Sequence, residues 1–227
     1  MTEIGRRLHE VRDRMAAACA RVGRDPASVR LIVVSKTAPT AAIAEAMAAG
    51  QTLFGENRVQ EALLKIAEVG PAATWHLVGH LQKNKAKHAV AKFELIHGVD
   101  DPELAAELDR RAAAVATTQQ VLVQANLAGE ATKSGIGEDA LMPLVEAVAE
   151  LPHLDLRGLM IIPPPVDDPE RSRIWFRRLR ELRDRAAARL DRPLPELSMG
   201  MTDDFEVAIE EGATMVRVGR AIFGERA

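Results

Sequence analysis

The sequence has no tyrosine and few other aromatic residues, which make up only 3% of its 227 positions. It has a single cysteine, Cys19, so a disulfide framework is impossible. The Ala-rich, helix-like surroundings of Cys19 predict a small buried side chain. Scarce aromatic residues and a formal net charge of −3 argue against a nucleic-acid-binding protein.

Long apolar runs are absent as well, and no segment is long enough to cross a bilayer. The N-terminal stretch MTEIGRRLHEVRDRM lacks the apolar centre of a signal peptide. We therefore expect a cytoplasmic protein that does not associate with membranes. Histidine, cysteine and carboxylate residues show no metal-ligand spacing, so no metal site is expected.

Short apolar runs alternate with helical stretches along the chain. Residues 2–22 have helical spacing and predict an extra N-terminal helix. The eight strand candidates that follow are LIVVS, LFGEN, WHLVG, ELIHGV, QVLVQAN, LRGLMII, ELSMG and MVRVG. Helical stretches, including QKNKAKHAVAKF at 82–93, separate them.

This alternation predicts a parallel sheet with right-handed crossovers. Eight units in a chain of this length match a (β/α)8 TIM-type barrel, which we expect to form one domain over residues 1–227. An open doubly wound sheet is the alternative. It is disfavoured because no glycine-rich dinucleotide-binding motif follows the first strand.

Lys36 ends the first apolar run, and chemistry in barrels gathers at the ends of strands. Partial desolvation there would favour the neutral amine, a nucleophile that forms Schiff bases with aldehydes. The alternative is a lysine whose ammonium group reaches water while its stem packs on apolar surface.

A phosphate site is indicated after the last two strands. Ser198, Met199 and Gly200 end the seventh run before a helix expected near Asp203, and Gly219 follows the eighth run. Backbone amides beside glycine favour an anion, and phosphate sites in barrels recur at these two loops. An imine-forming lysine at the same mouth suggests an aldolase acting on a sugar phosphate, or pyridoxal 5′-phosphate (PLP).

Five segments carry a resemblance to a known family: VVSKT, FGENRVQE, WHLVGHLQKNK, GLMIIPP and LSMGMTDDFEVAIEEGATMVRVGRAIFGER. In order and content they resemble the pyridoxal phosphate homeostasis proteins, relatives of the barrel domain of alanine racemase. The resemblance implies a PLP-binding barrel of the fold-type III kind with a Schiff base on Lys36. It covers nearly the whole chain, from Lys36 to Gly224.

The resemblance also implies roles for other residues. Arg217 would face the pyridine nitrogen, Asn57 would lie beside the ring, and His80 belongs to a loop whose role is not assigned. Arg220 stands where the family usually has a small hydroxyl residue, so its guanidinium would contact the phosphate or face solvent. The residues implied to hold the phosphate are Ser198, Met199, Gly200 and Gly219.

An arginine at the ring nitrogen disfavours its protonation, which makes the ring a weaker electron sink. Related racemases add a tyrosine base from a partner subunit, and this chain has no tyrosine. The resemblance thus implies a non-catalytic protein that holds PLP and delivers it to apo-enzymes, as a monomer or weak homodimer. A racemase with His80, Cys19 or Asp203 as second base is the alternative.

Two further groups of residues have structural interpretations. Lys83, Lys85, Lys87 and Lys92 predict a solvated helix face rather than a nucleic acid site. His76 falls inside the third strand, and His97 lies near the end of the fourth. We expect both to be structural, with His97 a hydrogen-bonded core histidine.

Overall fold

The computed structural model describes residues 2–130 and 134–224. Its eight parallel strands form a closed barrel, in which each strand pairs with the next and the last pairs with the first. The strands are β1 (Arg30–Val34), β2 (Leu53–Glu56), β3 (Thr74–Leu77), β4 (Leu95–Val99), β5 (Gln119–Ala125), β6 (Leu154–Ile161), β7 (Glu196–Ser198) and β8 (Met215–Val218). The predicted (β/α)8 barrel is confirmed.

Helices surround the barrel. They are α1 (Glu3–Arg21), α2 (Thr40–Ala48), α3 (Val59–Val69), α4 (Ala86–Ala89), α5 (Pro102–Ala114), α6 (Glu138–Ala149), α7 (Arg173–Leu190), α8 (Phe205–Glu210) and α9 (Arg220–Phe223). The predicted extra helix is α1, which begins where Thr2 Oγ1 accepts a hydrogen bond from the Gly5 amide. Among the residues described, no helix is both long and apolar enough to span a membrane.

Helix α4 is shorter than the sequence predicts. The expected helix over 82–93 is one 3-10 turn at Lys83–Lys85 followed by the single turn of α4. The chain leaves the helix at Val90, whose ψ is 136°, and Ala91 has a φ of 60°. The amide of Ala91 instead donates to the side chain of Gln119 on β5. A tertiary hydrogen bond therefore ends the helix where periodicity alone predicts that it continues.

The strands are buried on both faces. Outward-facing side chains such as Val33, Phe54 and Leu77 belong to the apolar layer between sheet and helices. A second apolar cluster fills the barrel interior and comprises Ile32, Val78, Leu95, Leu122, Met160 and Met215. Because side chains alternate along a strand, His76, His97 and Arg217 share the inward face with Val78, Leu95 and Met215. The interior is therefore partly polar, which bears directly on the site.

Candidate functional site

Lys36 lies in a tight turn that follows β1 at the carboxyl-terminal mouth of the barrel. The carbonyl of Ser35 accepts a hydrogen bond from the amide of Ala38 at 2.9 Å, and Thr37 between them has a φ of 65°. Positive φ is unusual for a β-branched residue and stores strain. Lys36 itself is exposed, which does not support the partial desolvation expected from the sequence.

A buried ion pair lies against this turn. The carboxylate of Glu56, at the end of β2, is fully buried and accepts hydrogen bonds from Ser35 Oγ and Lys65 Nζ, each at 2.7 Å. Lys65 Nζ also donates to the Ser35 carbonyl at 2.7 Å. Within the part of the chain that the structure describes, Glu56 Oε2 is buried without a hydrogen-bond partner. The pair thus holds the residue that precedes Lys36 through both its side chain and its backbone.

Arg217 places a buried guanidinium in the upper barrel. Its two terminal nitrogens donate to Ser198 Oγ at 2.6 Å and to the carbonyl of Ile161 at 2.8 Å. Burial lowers the pKa of Arg217 to about 10, an effect that the charge of Asp204 opposes. The side chain therefore remains charged at neutral pH. No carboxylate among the described residues forms a salt bridge with it.

Two buried histidines continue from Ser198 into the barrel. Ser198 Oγ is 2.9 Å from His97 Nδ1, and His97 Nε2 is 3.0 Å from His76 Nδ1. His76 Nε2 is in turn 3.2 Å from Glu94 Oε1. Burial lowers the pKa of both histidines, that of His97 well below its usual value, so both are neutral at pH 7. The prediction that His97 is a hydrogen-bonded core histidine is confirmed.

The loop after β7 is tightly constrained. Gly200 has a φ of 90°, and a β-carbon there would come within 2.5 Å of the Ala208 side chain, so only glycine fits. The following helix begins at Phe205, close to the start expected near Asp203. The Met201 amide donates to Asp204 Oδ1 at 2.7 Å and is therefore already occupied.

The loop after β8 lies directly on the end of β1. A β-carbon at Gly219 would come within 2.9 Å of the Val34 carbonyl oxygen, two residues before Lys36. Arg220 donates to both carboxylate oxygens of Asp203, at 2.7 and 2.5 Å. This pair ties the loops after β7 and β8 together.

The remaining candidate residues are distributed around the mouth. Asn57 is half-buried immediately after β2, and His80 is exposed after β3, with its Nδ1 3.6 Å from Asp100 Oδ2. Cys19 is buried in α1, on the outer layer, as predicted. The described residues contain no group of three side chains suited to a metal ion.

Comparison with known proteins identifies the family. The alanine racemase N-terminal domain model matches residues 7–227. The pyridoxal phosphate homeostasis protein of Aquifex aeolicus is 46% identical over 221 residues, which cover 97% of each chain. That of Pseudomonas aeruginosa is 45% identical over all of this chain and 97% of its own length. This chain belongs to the pyridoxal phosphate homeostasis protein family.

A solved structure of similar sequence shares the fold over its whole length. PipY of Synechococcus elongatus PCC7942, whose structure has PLP bound, is 39% identical to this chain. The TM-score is 0.86, with 97% of this chain and 100% of that chain covered. The predicted relationship to the family and to the alanine racemase barrel is confirmed.

Sequence reasoning missed the pair formed by Glu56 and Lys65. A signal was present in the sequence. Because side chains alternate along a strand, Glu56 faces the same outer side of β2 as the buried Phe54, two residues earlier. A carboxylate at such a position needs a cationic partner from the covering helix. The sequence offers Lys65 on α3 for that purpose.

Proposed function

We propose that this chain binds PLP at the carboxyl-terminal mouth of its barrel and serves in the homeostasis of that cofactor without robust catalysis. The observation that carries the proposal is the full-length match to PipY, solved with PLP bound. The homeostasis proteins at 45–46% identity support the same role.

The residues at the mouth fit the groups that PLP presents. An aldehyde needs an amine, and Lys36 stands in the strained turn after β1. A pyridine nitrogen offers a lone pair, and Arg217 is a buried donor with no carboxylate partner among the described residues. A phosphate needs nearby backbone amides, and we expect the loops after β7 and β8, at Gly200 and Gly219, to supply them.

We assign the covalent link to Lys36, as a Schiff base. Among the described residues, Lys65 also lies next to this turn, and its amine is held by Glu56 and the Ser35 carbonyl. An amine engaged as an ion-paired ammonium is a poor nucleophile. Lys65 is therefore a poor candidate, and Lys36 stands at the position that the resemblance implies.

We place the ring beside Asn57 and the phosphate against Met199, Gly200 and Gly219. Arg220 would act on the phosphate through the loop geometry that its pair with Asp203 maintains. His80 would border the site from the loop after β3.

When bound, PLP supplies an electron sink for chemistry at the α-carbon of amino acids. Arg217 limits that chemistry, because a permanent positive charge disfavours a protonated ring nitrogen. Of the proposed second bases, Asp203 is paired with Arg220 and Cys19 lies on the outer layer. His80, near Asp100, is the remaining candidate for racemase activity. Incubation with single L-amino acids, for wild type and His80→Gln, should yield no D-isomer that depends on bound PLP.

We further propose that the protein acts in the cytoplasm, as one PLP-binding domain, and passes PLP to apo-enzymes as a monomer or weak homodimer. Reactivation of a PLP-requiring apo-enzyme by the loaded protein, compared with free PLP, tests delivery. Native mass spectrometry tests the oligomeric state.

A spectroscopic titration tests the binding proposal. Addition of PLP to the wild-type protein should produce a visible absorbance band of the lysine-linked cofactor, and Lys36→Ala should lose that band. Lys92→Ala, which removes an exposed lysine elsewhere, is the matched control and should keep it. An unchanged band in Lys36→Ala would overturn the assignment.

A further inference from the structure

We propose that Ser198, His97 and His76 are positioning residues that join Glu94 to Arg217 through one hydrogen-bonded chain across the barrel. The chain fixes the guanidinium that we assign to the ring nitrogen. The effect on PLP binding rests on the proposed function, whereas the direction of the hydrogen bonds does not.

The hydrogen-bonded chain crosses the interior of the barrel. Ser198 is on β7 and His97 is on β4, which are not neighbours in the closed sheet, so the bond between them must pass through the lumen. His76 on β3 carries the chain on to Glu94, which immediately precedes β4 at the opposite end of the barrel. Both histidines and Ser198 are completely buried, whereas the Glu94 side chain is 46% exposed.

The two ends determine the direction of every hydrogen bond. A carboxylate only accepts, so His76 must carry its proton on Nε2 and accept at Nδ1. His97 must then donate from Nε2 and accept at Nδ1, and the Ser198 hydroxyl must donate to it. Arg217 only donates, so the Ser198 oxygen accepts from the guanidinium. When both histidines are neutral, each of the four hydrogen bonds contains one proton, and no two donors face each other.

This direction commits the only hydroxyl proton of Ser198 to His97. Ser198 is then unable to donate to a phosphate while the chain is intact, contrary to the role implied by the resemblance. It acts instead on Arg217, whose backbone amide also donates to the Gly200 carbonyl at 3.0 Å.

Glu94 ends the hydrogen-bonded chain away from the mouth, so a substitution at Glu94 can alter the chain from that end. A lysine in its place presents a donor to His76 Nε2, which must then accept. The proton of His76 moves to Nδ1, that of His97 moves to Nδ1, and the Ser198 hydroxyl is released from His97. One substitution at the far end therefore reverses the whole chain. The charges nearest this end are Arg30 and Glu196, which act on His76 and form their own salt bridge at 2.7 Å.

The direct test is nitrogen NMR of the histidine rings in the protein without added PLP. In the wild type, His76 and His97 should both be Nε2-protonated tautomers that do not titrate near neutral pH. Glu94→Lys should convert both to Nδ1-protonated tautomers. Glu45→Lys, the same charge change at an exposed position of α2, should leave them unchanged. An Nδ1 proton on either ring in the wild type overturns the proposal, and this measurement needs no variant to fold.

PLP affinity tests the consequence for the site. Because reversal of the chain leaves the Ser198 oxygen accepting from Arg217, affinity is tested at that acceptor itself. Ser198→Ala removes it and should weaken binding of PLP, and of pyridoxal without the phosphate, by roughly 10-fold or more, and Glu45→Lys should not. Unchanged affinity in Ser198→Ala, or a loss for PLP but not for pyridoxal, would refute the positioning role alone. Failure of the wild type to bind PLP would refute the proposed function but leave the tautomer result standing.

Discussion

The ammonium group of Lys65 donates a hydrogen bond to the backbone carbonyl of Ser35 at 2.7 Å, directly before Lys36. The same group forms a salt bridge with the buried carboxylate of Glu56. A residue of α3 thus supports the turn that presents Lys36.

Loss of Lys65 should destabilise the fold strongly. Lys65→Met leaves the Glu56 charge buried without its partner, which costs about 3–5 kcal/mol in the free energy of unfolding. Urea unfolding measures this change. Adding Glu56→Gln to the same chain should recover part of the loss, because the unpaired charge is gone. An unfolding midpoint equal to that of the exposed control Lys92→Met would contradict the importance of the pair.

Replacement of Thr37 by glycine should relieve strain in the turn. Positive φ costs a β-branched residue roughly 1–3 kcal/mol, whereas glycine loses about 0.5–1 kcal/mol more chain entropy on folding. Thr37→Gly should therefore raise the free energy of unfolding by about 1 kcal/mol. Ala41→Gly, at an exposed position of α2, is the control and should lower it by a similar amount. Equal losses in both variants would show that Thr37 is not strained.

The buried histidines predict lower stability at mildly acidic pH. Their pKa values are lowered in the fold from the ordinary value of 6.5, so the unfolded chain binds more protons below that pH. Stability is thus fully present above pH 6.5 and is lost as the pH falls. Two such groups lower the free energy of unfolding by roughly 1–3 kcal/mol between about pH 7.5 and about pH 5.5.

Urea unfolding at several pH values checks this dependence. His97→Phe removes one of the two groups, and the loss of stability on acidification should be about half as large. A pH dependence identical to that of the wild type would show that His97 is not held neutral by the fold.

The strand order followed from the sequence because each strand of the barrel is buried on both faces and therefore reads as a continuous apolar run. The residue at which α4 ends could not be predicted from the sequence, because it depends on a hydrogen bond from Ala91 to Gln119 on β5. The position of Lys36 was predicted, but its exposure was not, since exposure depends on how the neighbouring loops pack.

The hydrogen-bonded chain from Glu94 to Arg217 could not be predicted for a related reason. His76 and His97 were expected to be structural, and each does form hydrogen bonds in the core. Nothing in their separate sequence contexts indicates that they contact each other or reach Ser198. That contact arises only when β4 and β7 face one another across a closed barrel.

Peptide mapping after borohydride reduction of the protein incubated with PLP tests directly whether Lys36 holds the cofactor. Reduction fixes the cofactor on the nitrogen that holds it, and mass spectrometry of the digested protein identifies the modified lysine. We expect modification at Lys36, with Lys65 unmodified. Modification of another lysine, or of none, would contradict it.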